Sequence, residues 1–167
     1  MIISLTGFMG CGKSSVGREL SRLLCCPFMD LDSVIEYNAG RTIPEIFASD
    51  GEAVFRQMEK ETLREAVAQP SSIVLALGGG TVMTKECAEM VHEKTLCIYL
   101  RASVDTLVRN LSDEAEGRPM LHGDLQNRIE ELMALRSAIY EKTAHIVIDT
   151  DGKSIEEIAS EISASLN

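Results

Sequence analysis

Gly7-Phe8-Met9-Gly10-Cys11-Gly12-Lys13-Ser14 is the stretch that decides how this chain folds. It matches the spacing G-x-x-x-x-G-K-[ST] at every fixed position. The apolar run Ile2–Thr6 leads into it and an amphipathic helical pattern leads out, the context such a loop requires. Glycines here let backbone N–H groups turn inward on phosphate oxygens, and the helix N-terminus adds its partial positive charge. Lys13 is placed to reach the β- and γ-phosphates of a nucleoside triphosphate, and the Ser14 hydroxyl to ligate Mg²⁺. Cys11 fills a variable position as a small, inert, apolar residue.

Outward from this loop, strand-type apolar runs and helix-period segments alternate. The runs Ile2–Thr6, Pro27–Leu31, Ile73–Leu77, Thr95–Leu100 and His145–Asp149 lack strict polar alternation, as strands buried on both faces of a parallel sheet do. Between them, Val16, Leu20, Leu23 and Leu24 form one helical stripe, and Phe55, Met58, Thr62, Leu63 and Ala66 another. Ile129, Leu132, Met133 and Tyr140 form a third, and Ile155, Ile158, Ile162 and Leu166 a fourth. Thr42 with Glu45 and Ser154 with Glu157 fit the capping box. The expectation is one α/β domain over residues 1–167: three layers, α/β/α, with a central five-stranded parallel sheet. Ser112–Gly123 breaks the alternation. It is polar, contains two glycines and a proline, and reads as a mobile lid over about 112–123.

Composition narrows the partners. The 167 residues carry a net charge of −10 and are 45% hydrophobic. No basic stripe is present to displace the counterions of a nucleic acid. No apolar run approaches the roughly 18–20 residues that span a bilayer, and no export signal is evident. Nucleic acid and membrane are therefore not expected as partners. The five cysteines lack metal-type spacing, and Cys25–Cys26 is adjacent, so reduced thiols in a cytoplasmic protein are expected. Bound anions must be held by a few local cations.

The strand Ile73–Leu77 ends without a metal-binding aspartate and runs into Gly78-Gly79-Gly80. Carboxylates lie instead at the end of the second strand, in Phe28-Met29-Asp30-Leu31-Asp32. Two aspartates at i and i+2 share one face of an extended strand, and the carboxyl ends of such strands face the ligand crevice. One could serve the metal's water shell and the other an acceptor. Alternatively, Asp32 or Ser33 caps the next helix. The triple glycine permits close backbone approach by a ligand.

Taken together, these segments resemble the shikimate kinases, of the nucleoside-monophosphate-kinase-like P-loop family. The likeness runs from Ile2 to about Ser165. It is carried by Gly7–Ser15, Asp30-x-Asp32-x-x-Ile35-Glu36, Ile46-Phe47-x-x-x-Gly51-Glu52-x-x-Phe55-Arg56-x-x-Glu59, Leu77–Gly80, Arg118-Pro119-Met120-Leu121 and Arg136-x-x-x-Tyr140. The resemblance implies transfer of the ATP γ-phosphoryl group to the 3-hydroxyl of shikimate, with Mg²⁺ as cofactor, in chorismate and aromatic amino acid biosynthesis. Gly10, Cys11, Gly12, Lys13, Ser14 and Ser15 would bind ATP, with Arg109 and Lys153 flanking the adenine and Arg118 closing on the phosphates. Ser14 would hold the metal directly and Asp30 through water. The acceptor-binding region would be about 33–62. Asp32 would bind shikimate hydroxyls and accept the reacting proton. Arg56, Arg136 and the Gly78–Gly80 backbone would hold the carboxylate and ring. Lys13, Asp32 and Arg118 would be the catalytic set, in a monomer.

Two bidentate arginines suit a planar carboxylate. Read without the resemblance, Arg56 is equally a helix-surface partner of Glu59, and Arg136 of Glu130 or Glu131. Two other functions fit a phosphate loop. A kinase for gluconate or a nucleoside monophosphate is one, although a phosphate-bearing acceptor would call for more cations. A GTP-binding switch is the other, but its N-K-x-D guanine reader is absent. The three histidines form no catalytic arrangement.

Overall fold

The computed structural model describes residues 1–112 and 124–167. The expected lid therefore lies outside the described residues except for Ser112, and Arg118 lies outside them too.

Five strands form one sheet: β1 (Ile2–Thr6), β2 (Phe28–Asp30), β3 (Ile73–Ala76), β4 (Leu96–Arg101) and β5 (Ile146–Asp149). Every pairing is parallel and the order is β2-β3-β1-β4-β5. Among the described residues, eight helices connect or flank them: α1 (Lys13–Leu24), α2 (Leu31–Ala39), α3 (Ile43–Asp50), α4 (Glu52–Val67), α5 (Lys85–Lys94), α6 (Val104–Leu111), α7 (Leu125–Thr143) and α8 (Ile155–Ser165). Helices α1 and α8 pack together beside β1–β3, while α4, α5 and α7 pack in series, with α5 and α7 against β4. This is the three-layer α/β/α arrangement expected from the alternation.

All five residues of β1 are buried, and Leu5, Leu75, Ile98 and Leu100 are sealed from solvent. Each such side chain contributes roughly 1.5–3 kcal/mol by leaving water. Strand ends differ from the expected runs by about a residue, and one difference matters. β2 stops at Asp30 because Asp30 Oδ1 accepts the Ser33 N–H at 3.1 Å and caps α2, so Leu31 is already helical. Neither Asp32 nor Ser33 is the cap. The two aspartates therefore do not share an extended strand: Asp30 ends it, and Asp32 sits in the first helical turn. Thr42 and Ser154 cap α3 and α8, accepting from the Glu45 and Glu157 amides at 3.3 and 3.1 Å. In α1, Val16 and Leu20 are buried, but Leu23 is 37% exposed at the last turn, so that stripe is narrower than expected.

Candidate active site

The loop Gly7–Ser14 joins the carboxyl end of β1 to α1. Gly10 and Gly12 hold φ of 81° and 95°, in the left-handed range that favours glycine. Gly12 is the N-cap of α1, and no side chain caps that helix. Lys13 Nζ donates to the carbonyls of Gly7 and Phe8 at 2.9 and 3.1 Å. Ser14 Oγ donates to Asp30 Oδ2 at 2.7 Å. Helix α6 braces the loop from outside: Asn110 Nδ2 donates to Gly10 O at 2.9 Å, and a Cβ on Gly10 would lie 2.7 Å from Leu111 Cγ. Arg109, on the same helix, is exposed. Cys11 is buried, in keeping with a small apolar role. Lys153 Nζ pairs with Glu161 at 2.7 Å. Two residues on, Ile155 at the start of α8 meets the phosphate loop: its Cδ1 would lie 3.8 Å from a Cβ on Gly12.

The second half of the site is a floor of bare backbone, Gly78–Gly80, at the carboxyl end of β3. None of these three glycines has a left-handed φ, so their backbone does not demand glycine. At Gly78 and Gly80 neighbouring side chains crowd the space a Cβ would take, whereas at Gly79 a Cβ would make only ordinary contact. A Cβ on Gly78 would stand 2.8 Å from Asp32 Oδ1, one on Gly79 3.8 Å from Arg136 Nη1, and one on Gly80 2.9 Å from Arg56 Nη2. Three side chains from α2, α4 and α7 thus converge on three consecutive glycines. Arg136 also lies over the Phe8 ring, 5.9 Å from its centroid, which joins this floor to the phosphate loop. Arg136 Nη1 is 3.5 Å from Gly79 O, and Tyr140 Oη donates a short hydrogen bond to the same carbonyl.

Arg56 does pair with Glu59, but not on a solvated face. Its Nη1 donates to Glu59 Oε1 at 2.8 Å, and Glu59 is only 1% exposed. Arg136 does not pair with Glu130 or Glu131; Glu131 takes Arg128 instead, and Glu130 takes Gln126. Glu59 also accepts from Thr81 Oγ1 at 2.9 Å, and Thr81 Oγ1 in turn accepts the Gly78 N–H at 2.9 Å. Sequence pattern alone gave no part to Thr81, Asn110 or the carboxylate of Glu59. Only Glu59 carried a signal, as a fixed position of the segment around Arg56.

Asp32 is the perturbed group. Its pKa is pushed up to about 6, first by burial and then by the negative charges of Asp30, Glu59 and Glu36, with Lys13 opposing them. A carboxylate held near neutrality, between a phosphate loop and two arginines, is suited to accept a proton. Ser14 and Asp30 offer hard oxygen donors, and among the described residues no cluster of three His, Cys, Asp or Glu could cage an ion. That donor set fits Mg²⁺, which keeps several waters and takes few protein ligands.

The two described histidines pack against each other. His92 and His145 stack with centroids 4.4 Å apart, bonded to Thr143 O and the Cys97 N–H. All five cysteines are free, and burial pushes the Cys87 and Cys97 thiols up to about 11. Among the described residues, no helix is long and apolar enough to cross a membrane.

Known proteins resemble this chain in sequence and fold. The family model described as "SKI: Shikimate kinase" matches residues 9–167. The shikimate kinase of one Thermus thermophilus strain is 44% identical over 161 residues, covering 96% of this chain and 86% of its own. That of Dictyoglomus turgidum is 39% identical over 162 residues, covering 96% and 94%. The structure of shikimate kinase from Acinetobacter baumannii in complex with shikimate superposes with a TM-score of 0.92 at 32% identity, over 99% of this chain and 92% of that one. The Aquifex aeolicus shikimate kinase gives 0.87 at 34%, over 99% and 96%.

Proposed function

The chain belongs to the shikimate kinase family, and from that membership we propose how its residues divide the work. It is an ATP-dependent kinase that phosphorylates shikimate. The chain acts as one domain over 1–167, a cytoplasmic monomer, with the acceptor-binding region about 33–62.

On the nucleotide side, the Gly10–Ser15 backbone receives the ATP phosphates. Lys13 trades its bonds to Gly7 and Phe8 for the β- and γ-phosphates. Arg109 and the Lys153 loop flank the adenine, and Arg118 adds positive charge at the phosphates, a role that rests on the sequence resemblance. Ser14 would hold Mg²⁺ directly and Asp30 through water; bound there, the ion would neutralise charge on the β- and γ-phosphates.

On the acceptor side, Arg56 and Arg136 grip the shikimate carboxylate over Gly78–Gly80, and Asp32 orients the hydroxyls. As the 3-hydroxyl oxygen attacks the γ-phosphorus, Asp32 takes its proton and ADP leaves. The chemistry is mainly positioning and charge neutralisation. The product continues toward chorismate and the aromatic amino acids.

The observation that carries this reading is the convergence of Asp32, Arg136 and Arg56 on the three bare glycines beside the phosphate loop. The experiment is to titrate Arg56→Ala and Arg136→Ala with shikimate and with its neutral amide. Each variant is expected to weaken shikimate binding by about 2–5 kcal/mol, roughly 30- to several-thousand-fold. ATP binding should stay within a few-fold and the amide should be affected much less. Equal losses for acid and amide would show that neither arginine reads the carboxylate.

A further inference from the structure

We propose that Thr81 is a positioning residue for the acceptor site: its hydroxyl locks the buried carboxylate of Glu59 to the glycine floor, and so fixes the guanidinium of Arg56. The inference rests on the reading of Arg56 given above and extends it to a residue that touches no substrate.

Directionality makes the link specific. The Gly78 N–H can only donate, so Thr81 Oγ1 is the acceptor in that 2.9 Å bond. Its own proton must then go to Glu59 Oε2, also at 2.9 Å. One oxygen of Glu59 is thereby committed, and the other receives Arg56 Nη1 at 2.8 Å. Glu59 therefore holds Arg56 through a single terminal nitrogen, with Nε 3.6 Å from the exposed Glu52, while Nη2 stays over Gly80, where a ligand carboxylate would meet it. Thr81 and Glu59 are 0% and 1% exposed, so no solvent competes for these bonds. The relay spans three elements: α4 supplies Arg56 and Glu59, the floor supplies Gly78, and the short 3₁₀ turn Thr81–Met83 supplies the hydroxyl.

Without that hydroxyl, Glu59 Oε2 loses its donor and the Gly78 amide its acceptor. The freed carboxylate can then chelate Arg56 with both oxygens, the bidentate geometry guanidinium prefers. The arginine would be drawn away from the floor and toward its own helix. Gly78, against which Asp32 lies, would lose its anchor at the same time.

The test is steady-state kinetics on Thr81→Val and Thr81→Ser in the full chain, alone and with Arg56→Ala. Thr81→Val is expected to raise the shikimate KM about tenfold, the scale set by orphaning a buried polar group, while the ATP KM stays within about twofold. Thr81→Ser, which keeps the hydroxyl, should restore the shikimate KM. In the Arg56→Ala background, Thr81→Val should add less than about twofold, because the two changes break one interaction. If Thr81→Val does not fold, Thr81→Ala, which places no γ-methyl against Glu59, is read by the same criteria. Equal shifts in both KM values, no rescue by serine, or full additivity with Arg56→Ala would overturn the relay. A raised shikimate KM in Arg56→Ala beside a silent Thr81→Val would overturn the relay alone. An unchanged KM in Arg56→Ala would overturn the reading of Arg56 and the relay with it.

Discussion

The two halves of the site use glycine for opposite reasons. In the phosphate loop, Gly10 and Gly12 adopt left-handed backbone that aims main-chain groups, and the functional residues are contiguous. In the floor, Gly78–Gly80 have backbone open to other residues; Asp32 and Arg56 crowd the space a Cβ would take on Gly78 and Gly80, and Arg136 lies at ordinary contact distance from Gly79. One half is a local conformation; the other is a meeting point for three helices. A contiguous loop positions phosphate by its own geometry, whereas the floor has no chemistry until the rest of the chain arrives.

The comparison breaks first, and by the largest margin, at Asp32. Asp32→Asn keeps the shape but removes the base, so turnover should fall about 10²–10⁴-fold while ATP affinity holds. Near-normal turnover in that variant would leave the acceptor half a binding surface without catalytic function.

The same substitution has a stability signature. Because the folded state holds the Asp32 proton up to about 6 against an ordinary 3.8, ionising this group costs stability. The native protein should thus lose stability relative to Asp32→Asn as pH rises from about 4 to about 6. The gap should reach up to about 3 kcal/mol above that window and close below it. Urea denaturation without magnesium across pH 3.5–8, which brackets that window, would measure this. A constant gap would mean that Asp32 is not buried as described.

A smaller effect separates the two kinds of glycine. Gly12→Ala should cost about 1–2 kcal/mol through its left-handed φ, and truncating the nearby Ile155 to Ala should not relieve it. Gly78→Ala should cost about 1–3 kcal/mol by overpacking, and most of that should vanish in an Asp32→Ala background. Denaturant midpoints of the four combinations decide it; relief in both pairs, or in neither, would erase the distinction. The smallest change is expected at the edge of the nucleotide half. Lys153 is already paired with Glu161 at the surface, so Lys153→Ala should alter the ATP KM by no more than about fivefold.

How much could be read in advance follows the same division. The phosphate loop was legible because its chemistry is local in sequence, and the parallel sheet because doubly buried strands read as unbroken apolar runs. The floor was legible only as a close-approach site, since nothing in Gly78-Gly79-Gly80 says which side chains press on it. Asp32 was expected on a strand because the decisive event, Asp30 turning its carboxylate to the Ser33 amide, is a side-chain choice that periodicity does not record. Glu59 on its helix has the pattern of any surface glutamate three residues from an arginine. Buried, its Oε2 accepts from Thr81, 22 residues away, which no local pattern contains.

The strand order has a consequence for the time course of folding. β1 lies at the centre of the sheet, with all five residues buried, yet its neighbours are β3 and β4 and not the next strand along the chain. Ile2 pairs in register with Ile73, so the central strand waits for some seventy residues to be made before it has an edge to join. At ribosomal speeds of roughly 5–20 residues per second, that is an interval on the order of 10 s. Throughout it, an apolar strand with unsatisfied main-chain groups is available to wrong partners. Although β1 is made first, it cannot pair until β3 follows it. Rescue of yield by a chaperone that shields nascent strands should be lost when synthesis is paused beyond β3 rather than before it.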